Sequence, residues 1–218
     1  MSAAREEILD RIRRAVGARP ADRMADYAAV PREYRQCGSL DPAACLDLLA
    51  DRLRDYEAGV YRCARADLPA MIAQAATARG KHRLLIPAGL PREWLPETLE
   101  FIADRPHDYA ELDASEGALT ACAAAIATTG SIVLGHSPTE GRRALTLVPD
   151  YHLCVVFAGQ VVETVPEAMR RMHEAGARLI TTIAGPSATA DIEMTRVKGV
   201  HGPRTLDAIL VEDSAAPR

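Results

Sequence analysis

The chain has little that would support redox or nucleotide chemistry of its own. Its five cysteines, Cys37, Cys45, Cys63, Cys122 and Cys154, include no C-x-x-C pair. An odd, scattered set argues against both a disulfide framework and a zinc or iron–sulfur site. Most of these thiols read instead as small buried hydrophobes in a reducing cytoplasm. The P-loop pattern G-x-x-x-x-G-K-[ST] and the dinucleotide fingerprint G-x-G-x-x-G are both absent, so ATPase and Rossmann dehydrogenase readings have no support. There is no G-x-S-x-G elbow and no H-E-x-x-H helix. Charge of one sign is not in excess: the net formal charge is −4 over 218 residues, which gives no drive toward nucleic acid or an anionic membrane. Aromatics make up only 4% of the chain while alanine is abundant, a profile of helices packed on an aliphatic sheet rather than of an all-β fold.

Two further absences concern membranes. The opening MSAAREEILDRIRRAV has no apolar h-region and is charged and amphipathic, so it does not read as a secretory signal; the expected location is cytoplasmic. From Gly117 to Thr139 there is no Asp, Glu, Lys or Arg, a length that suggests a membrane span. Thr128-Thr129-Gly130-Ser131 and Gly135-His136-Ser137-Pro138 interrupt it, however, and it reads as a buried helix, a tight turn and a buried strand. No membrane insertion is expected.

What is present alternates. Residues 3–16 carry Ile8, Leu9, Ile12 and Val16 on one helical face, and residues 17–40 read as an extended connection. Together, residues 1–40 form an expected N-terminal extension, followed by a single domain over 41–218. Asp41-Pro42 pairs an N-cap with proline at the first helical position, starting a helix to about Tyr56 with Cys45, Leu48, Leu49 and Leu53 inward. Strands are expected at Gly59–Cys63, Arg83–Ile86, Ile132–Leu134, Ala144–Val148, Leu153–Phe157, Arg178–Ile183 and Leu206–Val211. Helices are expected at Asp67–Arg79, near Trp94–Ile102, at Ser115–Ala127 and at Val165–Ala175. The last opens with the capping box Thr164-Val165-Pro166-Glu167. This order implies βαβ units and a mostly parallel sheet flanked by helices, with an antiparallel portion near 131–163.

The densest chemistry lies between the last two strands, in GPSATADIEMTRVKGVHGPRT over 185–205. Gly-Pro and Gly-Val-His-Gly-Pro are loop-forming, and polar loops between buried strands are where α/β folds commonly place sites. Ser187 and Thr189 precede a candidate helix at Ala190–Val197 and can hold a phosphate or carboxylate, or simply cap it. Asp191 and Glu193 can act as general base or cation ligand, or as helix-dipole partners of Arg196 and Lys198. His201, between Gly199 and Gly202, suits proton transfer or a structural hydrogen bond. Arg204 can clamp a carboxylate or lie on the surface. Thr129, Gly130 and Ser131 at the end of the alanine-rich helix form a helix C-cap or an anion site. Gly141-Arg142-Arg143 reads as a hairpin tip that can recruit an anion.

The stretches Gly185–Glu193 and Gly199–Pro203, with Thr129-Gly130-Ser131 and Leu145–Pro149 leading to His152, resemble the signature of the lactate-utilisation protein C (LutC/YkgG) family, whose shared unit is the LUD domain. The resemblance covers roughly the C-terminal half. It implies the fold shared by glucosamine-6-phosphate deaminase, ribose-5-phosphate isomerase and coenzyme A transferases (NagB/RpiA/CoA-transferase-like). It also implies a component of L-lactate oxidation working beside iron–sulfur partner proteins, which would hold the clusters, with none on this chain. Asp191, Glu193 and His201 are then the candidate catalytic residues. Gly185, Ser187, Thr189, Gly202, Arg204 and Thr129–Ser131 are candidates for a small carboxylate or phosphate. The alternative is a stand-alone enzyme of coenzyme A transferase or sugar-phosphate isomerase type using the same acid/base residues.

Overall fold

The computed structural model describes residues 3–17, 23–105, 109–186, 188–190, 196–198 and 202–212. The chain divides into two compact units, Met1–Arg35 and Gln36–Arg218. The first holds α1 (Ala3–Val16), as the apolar spacing predicts, and α2 (Arg23–Ala29). The second helix corrects the expectation of an unbroken extended connection over 17–40. Arg-Met-Ala-Asp-Tyr-Ala-Ala contains no glycine or proline and is rich in helix formers.

In the second unit, α3 (Pro42–Asp55) starts where the cap chemistry places it: the Asp41 carboxylate accepts the Ala44 N–H at 2.9 Å. There follow β1 (Gly59–Cys63), α4 (Leu68–Ala78), β2 (Arg83–Ile86), β3 (Glu100–Ala103), α5 (Tyr109–Asp113), β4 (Ala118–Thr120), β5 (Ala124–Ile126) and β6 (Ser131–Leu134). The remainder is β7 (Tyr151–Phe157), β8 (Val161–Val162), α6 (Val165–Glu174), β9 (Thr181–Ile183), β10 (Ala188–Ala190), β11 (Arg196–Lys198) and β12 (Thr205–Val211).

Six strands form one parallel sheet in the order β1-β12-β7-β4-β2-β3. Its centre is apolar on both faces, as parallel sheets covered on both sides require. Alternation along β7 and β12 sorts the two cores. Leu153, Val155, Phe157, Ile209 and Val211 pack with Leu68, Ile72, Ala75 and Ala76 of α4. Cys154, Val156, Leu206, Ala208 and Leu210 pack with Leu46, Leu49 and Leu53 of α3 and with Ala125, Ile132 and Leu134. The last three residues belong to a second sheet, β8-β5-β6-β9, in which β6 runs antiparallel to both neighbours. The other face of that sheet, Ala124, Ile126 and Val133, is covered by Ala168 and Met172 of α6. Helix α6 begins at the expected capping box, with Thr164 N–H and Oγ1 both donating to Glu167 at 2.8 Å.

The structure corrects several local expectations. Ser115–Ala127 is not a helix but carries β4 and β5. Near Trp94–Ile102 there is a single 3-10 turn at Arg92–Trp94 and then edge strand β3. Ala144–Val148 is mostly a 3-10 turn, Arg143–Thr146, rather than a strand. The expected buried strand Arg178–Ile183 is only β9, with Leu179 and Ile180 exposed. Of the helix expected over 190–197, the described residues Ala190, Arg196 and Val197 lie instead in β10 and β11, which pair as an antiparallel ribbon with Ala188 opposite Lys198; residues 191–195 lie outside the described residues.

Candidate functional site

The first turn of β7 and β12 borders a cavity of about 230 Å³ on the sheet face that looks toward the second sheet. Three parts of the chain meet there: the 3-10 turn with Arg143 and Thr146, strand β9 with Thr181 and Thr182, and the two Gly-Pro pairs Gly185-Pro186 and Gly202-Pro203. The ends of the 185–204 segment thus converge, though far apart in sequence, because β12 inserts beside β7 while β9 edges the second sheet. Gly185 is required by its conformation, φ +76°, and by its packing against Tyr56, which leaves no room for a β carbon.

His152 stands in the cavity wall. It is fully buried, paired in register with Leu206 on β12 and Ala118 on β4. Its Nε2 lies 2.8 Å from the Thr120 hydroxyl, and its Nδ1 has no hydrogen-bond partner among the described residues. Burial pushes its pKa down from 6.5 to about 4, so the ring is neutral near pH 7. At the other side, Thr181 Oγ1 accepts from Arg143 at 3.0 Å and lies 2.9 Å from His136 Nε2, while His136 Nδ1 faces the Gly141 carbonyl at 3.1 Å. With Nδ1 donating to that carbonyl, Nε2 is free to accept from Thr181, which leaves the threonine oxygen to receive the arginine. This relay fixes Arg143 at the cavity, where it has no carboxylate partner among the described residues.

Of the sequence candidates, Gly185 and Gly202 line this cavity. Ser187, Asp191, Glu193 and His201 lie outside the described residues, and Thr189 falls in β10. Arg204 is exposed, 3.6 Å from Asp150, and does not line the cavity. Thr129-Gly130-Ser131 forms the β5–β6 hairpin turn rather than a helix C-cap. Gly130 has φ +60° there, and the two hydroxyls bond each other at 2.9 Å. Arg142 is not a free anion site, since it clamps Asp104 with two 2.8 Å bonds. From sequence, Thr120 and Thr181 carry no signal, Arg143 reads only as part of a hairpin tip that can recruit an anion, and His152 only as the end of a signature stretch. They come from separate elements, so no local spacing could have joined them.

A larger cleft of about 820 Å³ opens at the carboxyl ends of β2, β4 and β7, where parallel sheets commonly bind ligands. Its buried polar groups are already engaged. Glu140 accepts from Gly135 N–H and from Ser137 Oγ, and Gln160 links Phe157 N–H at 2.9 Å with the Cys122 carbonyl. The Cys122 thiol is pushed well above its usual range by its hydrogen bond with Cys154 and by burial, so it is no thiolate. Unmet hydrogen-bonding capacity therefore singles out the smaller cavity.

The architecture defines the class: a parallel-sheet α/β protein with a smaller second sheet and a polar cavity between the two. The chain belongs to the LUD domain family, whose profile matches residues 46–211. It is 42% identical over 212 residues to lactate utilization protein C of Deinococcus radiodurans, covering 95% of each chain. It is 37% identical over 94 residues to lactate utilization protein C of Halalkalibacterium halodurans, 40% of each. A crystal structure of a DUF162 family protein from Deinococcus radiodurans matches with a TM-score of 0.69 at 39% identity, covering 80% of this chain and 100% of that one. No helix among the described residues is long and apolar enough to cross a membrane.

Proposed function

We propose that this chain is a component of L-lactate utilisation, the oxidation of lactate to pyruvate. It acts as a subunit or accessory factor beside iron–sulfur proteins and binds a small carboxylate at the cavity between the sheets. The names of its relatives support the pathway. The carrying observation is the cavity's makeup: an arginine without a carboxylate partner among the described residues, threonine hydroxyls and a buried neutral imidazole around about 230 Å³. That volume suits a small acid better than coenzyme A or a nucleotide. Ser187, Thr189, Asp191, Glu193 and His201 complete the site in this proposal, contributed by the segment between the two Gly-Pro pairs. With no cluster-binding cysteine spacing in the sequence, electron transfer is assigned to the partners.

A thermal-shift series with L-lactate, pyruvate, inorganic phosphate and coenzyme A tests this. A ligand at one hundred times its dissociation constant stabilises a fold by about 2.7 kcal/mol, or roughly 5–10 °C for a chain of this size. The expected result is a shift with a small acid that is lost in Arg143→Gln and weakened in Asp191→Asn. A shift with coenzyme A alone would favour the transferase-type alternative. A flat response to every small acid would overturn the proposed site.

A further inference from the structure

Among the described residues, His152 lines the cavity as a buried titratable group with one ring nitrogen unused. Of its two nitrogens, Nε2 is taken by Thr120, a residue of β4 that does not line the cavity, whereas His152 does. Nδ1 is buried and has no partner among the described residues. Native interiors rarely leave such an atom unmatched without a ligand, an ion or a functional reason.

The surroundings favour one role for Nδ1. With Nε2–H donating to the threonine oxygen at 2.8 Å, the Thr120 hydroxyl is left to reach Cys154 Sγ at 3.9 Å and the Cys154 thiol the Ala121 carbonyl at 3.6 Å, so every proton has an acceptor. The reverse tautomer would bury an Nδ1–H with no acceptor among the described residues, the costlier orphan. In a neutral imidazole the second nitrogen is then a bare acceptor. It matches a ligand that brings an O–H, and it has nothing to offer a carbonyl oxygen. Across the same cavity, Arg143 and the hydroxyl of Thr182 offer donors suited to a carboxylate.

We infer that His152 Nδ1 accepts the hydroxyl proton of a 2-hydroxy acid, so that the cavity discriminates the hydroxy acid from the 2-oxo acid of the same carbon skeleton. The inference rests on the small-carboxylate reading of this cavity. It makes His152 a specificity-determining residue that reads the oxidation state of the ligand. A ligand lacking the hydroxyl proton meets lone pair against lone pair, and sites built to bond a hydroxyl reject analogues without it. The chain would therefore hold the reduced acid and release the oxidised one.

The test is calorimetric titration of the full chain with L-lactate and with pyruvate. L-Lactate is expected to bind about tenfold or more tighter than pyruvate, the usual scale for one buried hydrogen bond. His152→Gln keeps a polar group at the position facing Thr120 and removes the acceptor at the δ position, so the preference should collapse. His152→Asn places an amide oxygen where Nδ1 stands and should restore part of it. If neither acid binds, the small-carboxylate reading fails. If both bind equally to the wild type, or if His152→Gln keeps the full preference, that reading stands and the role of His152 is overturned. Nitrogen-15 NMR of the wild-type imidazole gives a readout independent of any variant's folding. A bare Nδ1 in the free protein supports the assignment, and a protonated Nδ1 overturns it.

Discussion

A neutral histidine sealed inside a sheet makes stability depend on pH in a fixed direction. The unfolded ring takes up a proton below pH 6.5, whereas the folded ring does so only near pH 4. The unfolded state therefore binds more protons between those values, and stability falls as pH drops through that window. Above pH 6.5 the contribution of the neutral ring is fully present. By pH 4 the loss reaches about 3 kcal/mol, and it flattens below that. Urea unfolding between pH 7.5 and 4 should show this decline in the wild type and a much shallower one in His152→Gln. A second residue-scale test concerns Asp207, wholly buried on β12. It takes two bonds from Arg79, at 3.0 and 2.7 Å, and one from the Tyr151 hydroxyl at 3.1 Å. Removing the arginine strands a buried carboxylate, a change that costs about 3–5 kcal/mol for a fully buried pair. Arg79 is 38% exposed, so solvent reaches it and the cost should sit at the low end or below. Arg79→Met should lower the unfolding free energy by about 2–3 kcal/mol. Replacing Arg79 and Asp207 together by Met and Leu should recover part of that loss. None of this was legible in the sequence. Asp207 reads as a lone charge in LDAILV, and Arg79 as the end of a helix; only the placement of β12 beside β1, with side-chain-free Gly59 opposite Asp207, joins them.

Elements with chemical punctuation were legible, and elements defined by packing were not. Asp41-Pro42 and Thr164–Glu167 fix the starts of α3 and α6 because their side chains satisfy free backbone donors locally, whatever the tertiary context. The stretch from Ser115 to Ala127 misleads for the opposite reason. Its alanines have high intrinsic helix propensity, yet β5 lies between two layers, with Ala125 toward the large sheet and Ala124 toward α6. Small side chains on both faces let those layers approach, and burial overrides propensity. The same misreading turned the β5–β6 hairpin turn into a helix C-cap. The glycine requirement survives the change of element: Gly130 sits at φ +60°, and a β carbon would stand 2.7 Å from Arg52 Cβ. Gly130→Ala should therefore destabilise by about 1–3 kcal/mol through strain and overlap. A shift of the thermal midpoint of less than a degree would show that the turn relaxes freely. Thr164→Ala, by contrast, should cost about 1 kcal/mol, since it removes one half of the capping box. Both are readable in the same melting experiment.

At the scale of the molecule, alternation of strands and helices gave the parallel sheet, but the order of its strands came only from the fold. That order sets the candidate site: β12 returns between β1 and β7 and carries Gly202-Pro203 to the same cavity as Gly185-Pro186. The two-unit division supplies a last prediction. Both large sheets lie within residues 59–211, and every core cluster draws on residues from Cys45 to Val211. A chain beginning at Gln36 should thus fold cooperatively and keep its response to small acids. Cutting further, to Asp41, removes more than unpatterned chain. Glu163 is 5% exposed, and its carboxylate accepts the backbone N–H groups of Ser39 at 2.5 Å and Leu40 at 2.7 Å; Glu167 accepts that of Gly38 at 3.1 Å. Taking those donors away leaves a buried carboxylate under-satisfied, at a cost of about 1–3 kcal/mol. For a chain of this length that lowers the midpoint by roughly 2–10 °C. The two truncations therefore separate a unit that begins at residue 36 from one that begins at the Asp-Pro cap of α3. Equal melting points would place the boundary at residue 41. A drop seen only in the shorter chain would make the stretch from Gln36 to Leu40, held by Arg170, Glu163 and Glu167, part of the cooperative fold.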